Sequence, residues 1–415
     1  MSKNPFLSYM ENKSIFKKDR DILRTSYIPD ELPHRDSQIT TIAQILYPAL
    51  IGQTPSNLMI FGKTGTGKTA VVKYMKHEIE DAIKEANIDI DLHYIYINCE
   101  ISDTNYGVLQ NIGNRFVEEF DSRIPHTGLS KERVYNMLLE KLDEKKRVVI
   151  VVLDELDKLV YKSGDDVLYD LLKINDELKN SKVSLIGISN DLKFSELLDT
   201  RVKSRFGEER MVFPPYNANQ LKDILKQRAK IAFNEDVIDD SVLGLCAALA
   251  AQEHGDARRA LDLLRVAAEI AERGHEPRIT EKHVKAAKNQ IEMDCTTEVI
   301  RTLPQQSKLL LMGIIMREMR RNGPLTTGEL YNIYLDMSRN IGNTALTQRR
   351  ITDLISELDM LGIIRASVVS FGRGGRTKKI ESAVPLESTL ELLLQDPQLA
   401  LLRDYRIKVQ KTLAV

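Results

Sequence analysis

An α/β domain with a parallel sheet flanked by helices, then a small helical domain, then a three-helix domain closed by a hairpin: this is the architecture the sequence predicts. Three observations carry it. A glycine-rich loop follows an apolar strand and opens a helix near residue 62; a continuous apolar run at 147–153 ends in two acids; and beyond about Cys295 the helical pattern gives way to helices followed by two strands around a glycine-rich turn. At 415 residues the chain is too long for one ordinary core. The expected divisions are 1–216, 217–295 and 296–415.

The loop reads Gly62-Lys63-Thr64-Gly65-Thr66-Gly67-Lys68-Thr69, a complete phosphate-binding pattern in the strand-to-helix context that its chemistry requires. Its glycines let backbone N–H groups curl around a phosphate. Lys68 adds a point charge for the β/γ oxygens, the Thr69 hydroxyl suits Mg²⁺, and the helix beginning near Gly67 contributes its positive end. The expected ligand is a nucleoside triphosphate.

Further strands follow. Leu92 to Asn98 alternates as a strand, whereas Arg147 to Leu153 is apolar and β-branched, as expected for a central parallel strand buried on both faces. It ends in Asp154-Glu155, which assigns Asp154 to the metal and Glu155 to the base that activates water. Val183 to Asn190 is a third run, closing on an Asn at the same sheet edge. After the breaker Phe213-Pro214-Pro215-Tyr216-Asn217, residues 219 to about 290 are helical in pattern, a lid on a proline-containing hinge.

In the last part, helices are expected at 305–321, 328–339 and 347–361. Strand-like stretches at 363–370 and 377–384 flank Phe371-Gly372-Arg373-Gly374-Gly375-Arg376, so the whole is a winged helix. The start of the third helix offers Thr347, Gln348, Arg349 and Arg350 to base edges, and Arg373, Gly374, Gly375 and Arg376 suit a narrow minor groove. Winged helices also serve protein contacts, so the charge matters. From Thr296 onward the chain holds 17 Lys plus Arg against 12 Asp plus Glu, although its overall net charge is −1.

Composition excludes other classes. With 42% hydrophobic and 29% charged residues it is that of a globular protein, and no run approaches the roughly 18 apolar residues of a membrane span. Cys99, Cys246 and Cys295 are scattered and the seven His stand apart, so neither disulfides nor zinc are expected. Met1 to Phe6 has no apolar signal core, and a cytoplasmic location is the expectation.

Taken together, these residues resemble the AAA+ P-loop ATPase superfamily. Asn190 matches its first sensor, and Arg205 looks like its arginine finger, with Arg201 a nearby rival. Arg258, in Gly255-Asp256-Ala257-Arg258-Arg259-Ala260-Leu261, resembles the second sensor. An AAA+ module followed by a winged helix further resembles the archaeal replication initiators of the origin recognition complex and cell division control family. The run Tyr27-Ile28-Pro29-Asp30-Glu31-Leu32-Pro33-His34-Arg35 looks like that family's arm over the adenine base.

The resemblance implies ATP/ADP and Mg²⁺ as ligands, double-stranded origin DNA, other initiator subunits and the replicative helicase as partners, and no membrane. It sets Tyr27, Ile28, Pro33, His34, Arg35, Tyr216 and Arg258 at the nucleotide. It also implies a DNA-touching insertion within 101–135, where 107–120 reads as a helix and 123–128 as the following loop; a surface helix without that role fits the same residues. A promoter-bound regulator, a branch-migration motor and a signalling ATPase are the alternative readings.

Overall fold

The computed structural model describes residues 14–17, 19–117, 123–320, 325–370 and 376–406. The chain forms two compact units, Met1–Ala287 and Lys288–Val415.

The first unit is built on five strands: β1 (Leu58–Phe61), β2 (Leu92–Asn98), β3 (Val148–Asp154), β4 (Lys182–Ser189) and β5 (Glu209–Val212). They run parallel in the order β2-β3-β4-β1-β5. β3 is buried at every position because its alternate side chains feed two cores. Val149, Val151 and Leu153 pack in one with Ile95, Ile97 and Leu185; Val148, Ile150 and Val152 pack in the other with Ile60, Val71 and Ile186. Burial on both faces is what made this strand a continuous apolar run.

β5 escaped the sequence reading. It is the sheet's edge, pairs with β1, and two of its four residues are Glu209 and Arg210, both exposed. A short edge strand needs no apolar alternation.

The segment after β2 also corrects the reading. The helix expected over 107–120 instead runs Asn105–Gly113, followed by a 3₁₀ turn at Asn114–Phe116. The Asn114 side chain stops it, accepting from Ile124 N at 2.7 Å and donating to Ile124 O at 3.0 Å. Residues 118–122 lie outside the described part. A second helix, Lys131–Asp143, packs against Asn105–Gly113.

The helical lid holds Ala218–Ala232, Asp240–Gln252 and Ala257–Arg273. Asn217 and Gln220 form a capping box at the first, and Asp256 caps the last. A fourth helix, Glu281–Thr302, passes without a break through Cys295, where the sequence pattern changes.

In the second unit, helices Gln305–Arg320, Thr327–Asn340 and Gln348–Met360 pack with an antiparallel sheet ordered β6 (Leu325–Thr326), β8 (Arg376–Ser382), β7 (Ile364–Ser370). This is the expected winged helix. Arg376, read as part of the turn, pairs with Ser370 as the first residue of β8. Arg373, Gly374 and Gly375 lie outside the described residues.

Candidate functional site

The strand-to-helix turns of the parallel sheet gather the sequence-predicted site at one edge. Gly67 caps the helix Lys68–Glu85 with φ of 89°, and a Cβ there would meet the Tyr216 hydroxyl at 2.7 Å. Gly65 also has positive φ, and its Cβ would overlap the Asp256 carboxylate from the lid. The loop is therefore a bare backbone cradle, with the lid resting on it: Ala257 N donates to Gly65 O at 3.1 Å.

Lys68 is buried, and its ammonium donates to Gly62 O (2.6 Å), Lys63 O (2.8 Å) and Asn190 Oδ1 (2.9 Å). Burial pushes its pKa down to about 8, with Asp154 pulling the other way and Arg258 adding to the fall. Thr69 Oγ1 donates to Asp154 Oδ2 at 2.8 Å, and the Tyr96 hydroxyl donates to the same oxygen at 2.6 Å. Glu155 sits in a left-handed turn with φ of 56°, and Lys158 Nζ lies 2.9 Å from its Oε2 while also pairing with Glu100. Cradle, lysine and two hard oxygen donors fit a nucleotide phosphate with Mg²⁺.

A cavity runs from this edge under the lid. It is lined by Gly65 to Val71, Asp154, Glu155 and Asn190 from the sheet side, and by Ile224, Arg228, Arg258 and Leu261 from the lid. Tyr27, Ile28, Pro33 and Tyr216 complete the wall.

His34 and Arg35 do not reach it. Arg35 is buried, with Nε and Nη2 donating to Thr66 O (3.0 and 2.8 Å), Nη2 donating also to Pro214 O (2.8 Å), and its guanidinium 3.8 Å over the Tyr216 ring. His34 pairs with Asp223 at 2.9 Å. Both residues fasten the arm rather than line the site. Gly62, Lys63 and Thr64 stand behind the lining, the first two serving Lys68 through their carbonyls.

The AAA domain family matches residues 51–193, the Cdc6 AAA+ ATPase-type lid domain 222–289, and the CDC6 C-terminal winged helix domain 298–391. An ORC1-type DNA replication protein 1 of Methanosarcina mazei is 53% identical over 97% of this chain and 96% of its own length. The chain belongs to the ORC1/Cdc6 family. An ORC1-type DNA replication protein of Pyrococcus furiosus is 56% identical over 90% of this chain and 89% of its own. The solved structure of the Aeropyrum pernix ORC1 protein in complex with DNA is similar at a TM-score of 0.76 and 44% identity, covering 94% of this chain and 99% of that one.

In this ORC1/Cdc6 chain the two candidate finger arginines lie outside the cavity lining. Arg205 Nη1 is 3.1 Å from Asp176 Oδ2 and 3.4 Å from Leu172 O; Arg201 pairs with Asp199 at 3.0 Å and lies over the Tyr169 ring. Neither lines the cavity of its own chain.

On the winged helix, Thr347 caps Gln348–Met360, accepting from Arg350 N at 3.5 Å, so its hydroxyl is engaged. Gln348 and Arg349 are exposed, while the Arg350 guanidinium lies 3.9 Å from Asp353 and 3.5 Å from Glu357. The sequence reading missed Tyr334, fully buried, whose hydroxyl donates to Gln306 Oε1 (2.6 Å) and accepts from Leu346 N (3.0 Å). That bond sets the loop entering the third helix. Its only sequence signal is an aromatic on a helix face. Lys378, on β8, donates to Ser356 Oγ at 2.7 Å and puts a cation beside the same helix.

Proposed function

We propose that this protein is an ATP/ADP-switched replication initiator that binds double-stranded origin DNA and helps recruit the replicative helicase. The observation that carries this is the cavity itself: one pocket holds Lys68, Thr69, Asp154, Glu155 and Asn190 from the sheet and Arg258 from the lid, in a chain with a winged helix. Nucleotide occupancy and lid position are thereby linked, the arrangement a switch needs.

In this reading the cradle N–H groups and Lys68 bind the phosphates, with Thr69 and Asp154 holding Mg²⁺. The metal supplies charge neutralisation of the β- and γ-phosphate oxygens when bound. Glu155 accepts the proton of the attacking water, once its carboxylate leaves Lys158, and Asn190 orients that water. Arg258 contacts the γ-phosphate from the lid. Arg205, turned away from its own cavity, serves a neighbouring subunit. Gln348 and Arg349 read bases while Arg373 and Arg376 of the wing enter the adjacent minor groove. The relatives' name and the DNA-bound Aeropyrum pernix structure support the DNA and replication assignments.

The test is binding of the purified chain, loaded with ADP or a non-hydrolysable ATP analogue, to origin duplex and to unrelated duplex over a salt series. Preference for the origin, with affinity falling as salt rises, is expected. Equal binding to both duplexes overturns origin recognition.

A further inference from the structure

The arm divides between two bodies. Up to His34 its polar ties run to the lid, although Leu32 packs on the sheet-side core: Phe16 bridges to Phe233, Lys17 N donates to Ala232 O at 2.8 Å, Gln227 Nε2 donates to Glu31 O at 3.1 Å, and His34 pairs with Asp223. From Arg35 it is fastened to the sheet side, through Thr66 O and Pro214 O. The polar partners change over between His34, whose φ is 63°, and Arg35. The wall formed by Tyr27 and Ile28 is therefore carried by the lid.

Arg228 ties the part of the arm that walls the cavity. It lies on the lid helix Ala218–Ala232 and is 6% exposed; Nη1 donates to Ile22 O at 3.2 Å, Nη2 donates to Tyr27 O at 2.9 Å, and the guanidinium sits 4.6 Å from the Tyr27 ring centroid. Its Nε is buried without a hydrogen-bond partner, and no carboxylate among the described residues ion-pairs with it. Burial pushes its pKa down to about 10. A buried cation that neutralises no acid is costly, and here its two hydrogen bonds to backbone carbonyls offset that cost. What it holds is the turn that walls the cavity.

Resting on the nucleotide-binding reading, we propose that Arg228 is a positioning residue for the nucleotide base: it pins the Tyr27 turn to the lid so that the base wall and Arg258 move together. Base contacts are made when the lid is down and lost when it lifts. The phosphate cradle, on the other body, does not depend on it.

The experiment compares ADP and inorganic tripolyphosphate, each with Mg²⁺, as competitors for a fluorescent nucleotide in the full-length protein, for the natural chain, Arg228→Met and Arg228→Lys. Arg228→Met weakens ADP about tenfold, the share of a charge-assisted hydrogen bond, and tripolyphosphate by less than about twofold; Arg228→Lys recovers part of the ADP affinity. Equal losses for both competitors, or no loss of ADP affinity, overturn the proposal. Should Arg228→Met not fold, Tyr27→Ala takes its place with the same two expected losses and the same overturning results. A natural chain that binds no ADP refutes the nucleotide reading instead, so the two failures are distinct. Hydrogen exchange in the ADP complex gives a second readout: with Arg228→Met, protection falls over residues 22–33 and not over the helix Asp36–Leu50, and a uniform fall counts against the proposal.

Discussion

The nucleotide cavity and the exposed face of the winged helix are both proposed here to take phosphate-bearing ligands, yet they are built in opposite ways. In the cavity, Lys68 is buried with three hydrogen bonds, Thr69 and Tyr96 converge on one Asp154 oxygen, and Arg35 ties the loop to the hinge. On the helix Gln348–Met360, Gln348 and Arg349 stand in solvent and Arg350 faces two acids of its own helix. Chemistry at a bond needs groups fixed before the ligand arrives; reading a long duplex needs many modest contacts that adjust on binding. Losses in the first region should accordingly be steep and in the second shallow.

The steepest expected effect is on hydrolysis. Glu155→Gln keeps ATP bound but lowers turnover by about 10² to 10⁴-fold, the range for loss of a general base; retained turnover in a single-turnover assay would move the base elsewhere. Next comes Lys68→Ala, which removes a buried charge and weakens ATP by about 100-fold in calorimetry. A loss of only a few-fold would place this lysine with the solvent-exposed contacts and blur the contrast.

The depressed pKa of Lys68 gives a pH test with a definite sign. In the free protein the group loses its proton above about 8, whereas phosphate holds it charged, so binding takes up a proton in that range. ADP affinity is flat just below pH 8 and falls by up to about tenfold per unit above it. Affinity unchanged through pH 9.5 would contradict the depressed pKa of this ammonium.

Smaller effects belong to the winged helix. Arg349→Ala and Gln348→Ala each cost about 1–3 kcal/mol at the preferred sequence and relax preference at one position, read by competition with single-base variants. Arg350→Ala costs least, about twofold to threefold, because its acidic neighbours already screen it. If Arg350 outweighed Arg349, the ion pairs with Asp353 and Glu357 would have to break on the duplex.

The same contrast explains what the sequence made legible. A preorganised site constrains residue types at fixed spacing, so the phosphate loop, Asp154-Glu155 and the Asn190 strand end stood out, and Arg258 through the family resemblance. Roles that arise only in three dimensions did not. Arg35 reads like a ligand contact until its donors are found on Thr66 O and Pro214 O, and Arg228 is one basic residue among several on an amphipathic helix. β5 hid because an edge strand carries little pattern, and the helix over 105–113 was overextended because the stop is a side-chain bond from Asn114 to Ile124, ten residues away.

The central claim joins both regions: a nucleotide switch anchored at replication starts by the winged helix. A genome-wide map of sites bound by the protein in the source cell tests it most directly. The account predicts peaks at replication starts that persist with Glu155→Gln and fade when Gln348 and Arg349 are both changed to Ala; peaks confined to promoters would contradict it.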